Sequence, residues 1–241
     1  MIHAITETSF LDWDGQVVTV LYTAKCNFRC PFCHNWPLME ETDNYPEVTW
    51  ERIEAFLKEH DDFIDGVCIT GGEPTMESGL EDLMQKIKDM GFKVKLDSNG
   101  SRPEIIKDLV GKGLVDYIAM DFKMPLDERY SKPTGIKPDI EKLKESVDFI
   151  MNSGIDHEFR TTVVPTIHEK EDIVEIARFL GTEEKYALQQ FNPVNTWDLD
   201  MRELKPYTHE EFMEIAEQCK PLVGKLSVRG LKEMTDDQSL I

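Results

Sequence analysis

Six strand-like runs, with helical stretches between them, leave this chain few ways to fold. Residues 16–23 (QVVTVLYT), 66–70 (GVCIT), 92–97 (FKVKLD), 115–121 (VDYIAMD), 159–164 (FRTTVV) and 186–191 (YALQQF) are rich in β-branched and aromatic side chains and read as strands. Between them, apolar residues recur on helical faces. Leu80, Leu83, Met84 and Ile87 fall at i, i+3, i+4 and i+7, as do Ile173, Ile176, Ala177 and Leu180. Leu143, Val147, Ile150 and Met151 mark a further helix, ended at Gly154, and Phe212, Ile215, Ala216 and Cys219 another. Strands separated by helices pair in parallel through right-handed crossovers. The expected fold class is α/β, with a partial (β/α)6 TIM-like barrel favoured over a flat sheet, which periodicity alone does not separate. No Gly/Ser linker or composition break divides the 241 residues. One domain over 1–241 is expected, with a core at about 16–195 and a C-terminal helical extension at about 196–241.

Such a fold makes a geometric demand, because its chemistry sits at the C-terminal ends of the strands. The unusual residues do gather there. Cys26, Cys30 and Cys33 follow the first run, TGGEP (70–74) ends the second, and DSNG (97–100) ends the third. DFK (121–123) ends the fourth and FNP (191–193) the sixth. Independent motifs have no reason to share one rim.

Charge narrows the partners. Forty-seven Asp and Glu against 27 Lys and Arg give a net charge of −20, which repels phosphate backbones and anionic membranes. Neither nucleic acid nor a membrane is an expected partner. MIHAITETSFLDWDG lacks the basic start and apolar core of a signal peptide, and no run approaches the roughly 20 apolar residues of a span. Five cysteines, an odd number, fit a reducing cytoplasm.

The segment KCNFRCPFCHNW (25–36) admits several chemistries. Cys30 and Cys33 have dithiol spacing, but NWPLMEETDNYPE reads as a turn-rich loop where a thioredoxin-type site needs a helix. CPFCH spells a haem attachment sequence, which leaves Cys26 without a role. Structural zinc wants four ligands. Cys68 sits in an apolar strand and Cys219 in an apolar helix stripe, so both read as core residues, and only His34 remains as a fourth ligand. Three thiolates without a fourth suit an iron–sulfur cubane with one open iron.

The Cys26-x3-Cys30-x2-Cys33 loop, with Phe32 before its last cysteine, resembles that of the radical S-adenosylmethionine (SAM) superfamily, and GGEP (71–74) is a second hallmark in its place. SFLDWDG, CHN, KLDSNG, MDFK and RTTVV narrow the likeness to glycyl-radical-enzyme activases, nearest to those of anaerobic ribonucleoside-triphosphate reductase. The likeness runs over roughly residues 7–195. It implies one [4Fe–4S] cluster on Cys26, Cys30 and Cys33, whose open iron chelates SAM. Reduction then cleaves SAM to a 5′-deoxyadenosyl radical.

Further roles follow from the resemblance and from the residue types. Phe32 walls the adenine, and the His34 backbone touches SAM. Gly71 and Gly72 permit close approach of the methionyl group, and Glu73 accepts a bond from its ammonium. Asp97 and Ser98 offer ribose- or cation-binding oxygens; a plain turn is the duller reading. Lys123 helps hold SAM, and Asp121 helps form the ligand or cation site. Arg160 suits a carboxylate or, equally, an interior salt bridge. Asn192, expected among the cofactor-binding residues, stands where pyruvate formate-lyase activases place a histidine, and Lys25 stands where the family often has glycine before the first cysteine. His168 is expected to face solvent at a helix entrance.

The function implied is that of an activase placing a glycyl radical on a partner enzyme, with ferredoxin or flavodoxin as electron donor. A radical SAM enzyme acting on a small molecule or peptide is the competing reading, since these motifs bind cofactors and say little about the target.

Overall fold

The computed structural model describes residues 1–231. Eight strands form one sheet in chain order: β1 (Ile2–Ser9), β2 (Val18–Thr23), β3 (Gly66–Gly71), β4 (Lys93–Ser98), β5 (Tyr117–Asp121), β6 (Asp156–Val163), β7 (Lys185–Gln190) and β8 (Lys225–Arg229). β1 runs antiparallel to β2, and every later neighbour is parallel. The helices are α1 (Trp36–Glu40), α2 (Trp50–Glu59), α3 (Leu80–Asp89), α4 (Pro103–Gly111), α5 (Ser131–Thr134), α6 (Ile140–Asn152), α7 (Lys170–Leu180) and α8 (His209–Cys219). Unbroken sequential order with helical crossovers is the winding of a β/α barrel. Among the described residues no pairing joins β8 back to β1, so the barrel stays open.

The six expected strands are present, with ends shifted by up to three residues. Two strands were not foreseen. β1 carries four half-buried residues in a row and β8 has none that is buried, so neither shows an apolar alternation. As edge strands they are recruited through backbone bonds to a neighbour already in place. The C-terminal extension, expected to be helical, therefore also supplies a strand, and its residues 232–241 lie outside the described residues.

Strand period sorts the side chains. Outward residues such as Ile69, Leu96, Ile118, Phe159 and Leu188 pack against the helices in one large core. A smaller cluster fills the barrel's lower interior, where Trp13, Val18, Val20 and Cys68 meet Tyr22 and Tyr117. Trp13 is driven in by the SFLDWDG turn between β1 and β2, its ring centroid 5.5 Å from that of Tyr117. Cys68 and Cys219 are fully buried, as their apolar settings predict.

Candidate active site

Leaving β2, the chain turns through Cys26, Cys30 and Cys33, three free, half-buried thiols lining one cavity of about 410 Å³. The cavity lies at the C-terminal ends of the strands, as the fold requires. Phe32, His34, Gly71, Gly72, Asp97, Ser98, Asp121, Lys123 and Arg160 line it too. A second cavity, about 380 Å³, opens at the other end of the barrel beside Trp13, Lys93 and Lys185, with no cysteine on its wall.

A knot of hydrogen bonds shapes the cysteine loop. The Cys33 N–H donates to the Cys30 carbonyl (3.0 Å), and the Gly72 N–H to that of Thr23 (2.9 Å). A Cβ at Gly71 would collide with the Thr23 backbone, and one at Gly72 with the Lys25 carbonyl. Chain approaching chain already requires both glycines, and both also line the cavity where approach of a bound ligand is expected. The Asn35 amide donates to the Gly71 carbonyl (2.8 Å), and the Asn99 amide reaches Asn27 in the loop (3.0 Å).

Glu73 has a structural role beside the expected one. It has no exposed surface and accepts from Thr75 N–H (3.1 Å), Thr75 Oγ1 (2.6 Å), Ser98 Oγ (2.9 Å) and Asn99 N–H (2.6 Å). Burial raises its carboxyl's pKa, and the four donors oppose that rise. It joins the end of β3 to the end of β4 mostly through Oε1, which takes three of the donors, while Oε2 takes only the Asn99 N–H and the residue still lines the cavity. Ser98 is committed to the same knot.

The inner faces of β4, β5 and β6 carry alternating charges. The Lys95 ammonium donates to Asp97 Oδ1 (2.6 Å), and Arg160 donates to Asp97 Oδ2 (3.0 Å). Arg160 also holds Asp121 Oδ1 through Nε (3.1 Å) and a terminal nitrogen (3.0 Å), and Lys123 meets Asp121 Oδ2 (2.9 Å). Arg160 therefore forms an interior salt bridge, the second of its two readings, and both oxygens of each carboxylate are paired with a cation. Burial raises the pKa of Asp121, but Lys123 and Arg160 outweigh it and bring the carboxyl to about 2. Asp97 is held low against burial by Arg160 and Lys95. At the outer end, the Lys123 ammonium stands 6.0 Å from the Phe32 ring centroid and faces the thiols.

Burial pushes the Cys26 and Cys30 thiols up to about 11 and raises Cys33, while Lys123 acts in the other direction at all three. Ligation takes thiolates, so a nearby ammonium favours it. Among the described residues no three His, Cys, Asp or Glu side chains converge as ligands of one metal ion. A cubane takes each thiolate on a different iron and sets them further apart than a single ion does. Three thiols on one wall with an ammonium beside them fit that group.

Two expectations are corrected. Asn192 is exposed and does not line the cavity; its carbonyl instead lies 2.8 Å from His34 Nε2, and its Oδ1 accepts from the Val194 N–H (3.0 Å). His168 is buried where a solvent-facing position was expected, because its ring closes two backbone gaps. Nδ1 accepts from the Val164 N–H (3.0 Å), which leaves Nε2 to donate to the Lys123 carbonyl (2.7 Å). Burial lowers its pKa, in keeping with a ring that accepts at Nδ1.

Other contributors were missed. Lys95 lies two residues before Asp97 on the same strand face, a signal available in KVKLD. Thr70, Thr162 and Gln189 line the cavity from the ends of β3, β6 and β7. The loop after β7 clamps the cysteine loop. The Trp197 N–H donates to the Cys33 carbonyl (3.1 Å), the Asp198 N–H to that of Pro31 (2.9 Å), and the Trp36 indole to that of Asn195 (3.1 Å).

An open, mostly parallel β/α barrel with three cysteine thiols in a cavity at its C-terminal rim defines a class of cluster-dependent enzymes. Residues 20–180 match the Radical SAM superfamily. Over 237 residues, 96% of each chain, the protein is 30% identical to a candidate glycyl-radical enzyme activating enzyme of Methanocaldococcus jannaschii. Among solved structures it resembles Streptococcus suis SuiB bound to S-adenosylmethionine, with a TM-score of 0.63 and 19% identity over 88% of this chain and 50% of that one. It also resembles a domain of pyruvate-formate lyase-activating enzyme from Bacteroides vulgatus, with a TM-score of 0.55 and 15% identity over 68% of this chain and 99% of the other. The chain belongs to the radical SAM superfamily, whose cofactors are a [4Fe–4S] cluster and SAM.

Proposed function

We propose that this protein is a cytoplasmic activase that removes a hydrogen atom from a backbone glycine of a partner enzyme, with an anaerobic ribonucleoside-triphosphate reductase as that partner. The observation that carries the reading is the placement of three free thiols and the Lys123 ammonium on one cavity at the rim of an open barrel. Likeness along nearly the whole chain to a candidate activating enzyme supports the subfamily.

Cys26, Cys30 and Cys33 hold the cluster. With one electron from a ferredoxin or flavodoxin, the group held in this cavity together with SAM would supply the chemistry of hydrogen-atom abstraction. Lys123 pairs with the SAM carboxylate, as an ammonium not fully used by Asp121 can. Phe32, only 9% exposed, closes one wall against water. Asp121, itself held by Arg160, braces Lys123. The gap between β1 and β8 leaves the rim less enclosed than a complete barrel does, which suits a substrate that is a loop of another protein.

Anaerobic reconstitution with iron and sulfide, followed by reduction, tests this. The expected results are 5′-deoxyadenosine release, its loss in Cys30→Ala and its retention in Cys219→Ala. A glycyl-type doublet in electron paramagnetic resonance should then appear only with the reductase present. SAM cleavage without a doublet favours a small-molecule or peptide substrate. Stoichiometric zinc with no cleavage sinks the enzyme reading.

A further inference from the structure

We infer that Lys95, sealed inside the barrel, is a positioning residue that sets how firmly the cavity holds the carboxylate of SAM. The inference rests on the placement of SAM beside Lys123 proposed above.

Lys95 is 1% exposed, and its ammonium meets Asp97 Oδ1 at 2.6 Å, with Cys68 Sγ 3.9 Å away and the Tyr117 ring centroid 6.0 Å away. Sealing an ammonium there costs several kcal/mol unless it is paired, and an apolar residue would fill the same space beside Val20 and Cys68 more cheaply. The charge is explained by what it does further along. Lys95, Asp97, Arg160, Asp121 and Lys123 form one hydrogen-bonded ladder in which each carboxylate is shared between two cations. Three cations against two carboxylates leave one positive charge, and only the Lys123 end reaches the thiols.

The neighbouring carboxylates are otherwise engaged. Glu158, next along the inner face of β6, is bound by Arg229 at 2.8 and 2.9 Å, and Asp12 accepts from Ser9 Oγ at 2.5 Å. Without Lys95, Asp97 Oδ1 loses its donor and draws Arg160 away from Asp121. Asp121 then holds Lys123 more tightly, and the ladder's surplus charge is gone. Both changes weaken the hold on an anion, although Lys95 touches neither SAM nor the cluster.

Calorimetric titration of SAM into the reconstituted protein reads this without turnover. Lys95→Met should weaken SAM binding about tenfold, with iron content retained. Removing the paired charge as well, in Lys95→Met/Asp97→Asn, restores the balance and should bring the affinity back to within about twofold of wild type. Asp97→Asn alone should bind SAM at least as tightly as wild type, which also covers a poorly folding Lys95→Met. Additive losses in the double variant, or weaker binding in Asp97→Asn, overturn the ladder. Weakened binding in Lys123→Met beside unchanged binding in Lys95→Met does the same. If Lys123→Met binds as wild type does, the placement of SAM itself fails.

Discussion

Glu73 gathers four donors in a space closed to water, two from Thr75 and one each from Ser98 and Asn99. A glutamine there turns one acceptor into a donor facing other donors. Glu73→Gln should therefore cost about 2–3 kcal/mol of stability, read as a lowered midpoint in urea, since hydrogen bonds to a charged group are worth about 1.5–3 kcal/mol each and a stranded donor costs similarly. An unchanged midpoint would show that the knot is not structural. GGEP was legible as a motif, but its glutamate's role was not. The sequence places Glu73 next to Pro74, and only the fold places it against Ser98 and Asn99, some 25 residues on. The cysteines are the opposite case: their chemistry is carried by spacing within one loop, which the sequence displays directly.

At the scale of elements, the cysteine loop is held from a distance by the loop after β7. Asn195 stands at the turn of that clamp in the left-handed region (φ 57°), where its carbonyl receives the Trp36 indole. A β-branched residue in that conformation costs about 1–2 kcal/mol or more, whereas glycine adopts it freely. Asn195→Val should loosen the clamp and speed the loss of visible cluster absorbance in air, and Asn195→Gly should not. Equal bleaching rates would mean that the clamp does not guard the cluster. Amphipathic helices such as α3 and α7 were readable because one stripe of residues faces one core. β1 and β8 were not, because an edge strand of half-buried residues carries no such stripe.

Across the whole molecule, Arg229 joins the two ends of the open sheet. From β8 it binds Glu158 on β6 and reaches Asp14 (3.2 Å), 215 residues earlier, in the turn between β1 and β2. Glu158 is nearly buried, so removing its partner strands a carboxylate. Arg229→Met should lower stability by about 2 kcal/mol in urea unfolding, discounted for the quarter of Arg229 that meets solvent, and adding Glu158→Gln should recover part of it. Equal losses from the single and double variants would show that a stranded carboxylate is not the cause, and no loss in Arg229→Met would show that the pair contributes nothing.

The sequence alone determined the β/α winding, the rim on which the chemistry gathers and the three thiols, because each is a local pattern: a period, a strand end, a spacing. Tertiary structure alone decided which charges face one another. Lys95 and Asp97 share a strand, but Asp121 and Arg160 reach them only once β4, β5 and β6 lie side by side. Whether a buried carboxylate is free for a ligand depends on what the fold sets across from it. Pairing between distant strands, unlike spacing within one, leaves no mark on a single chain.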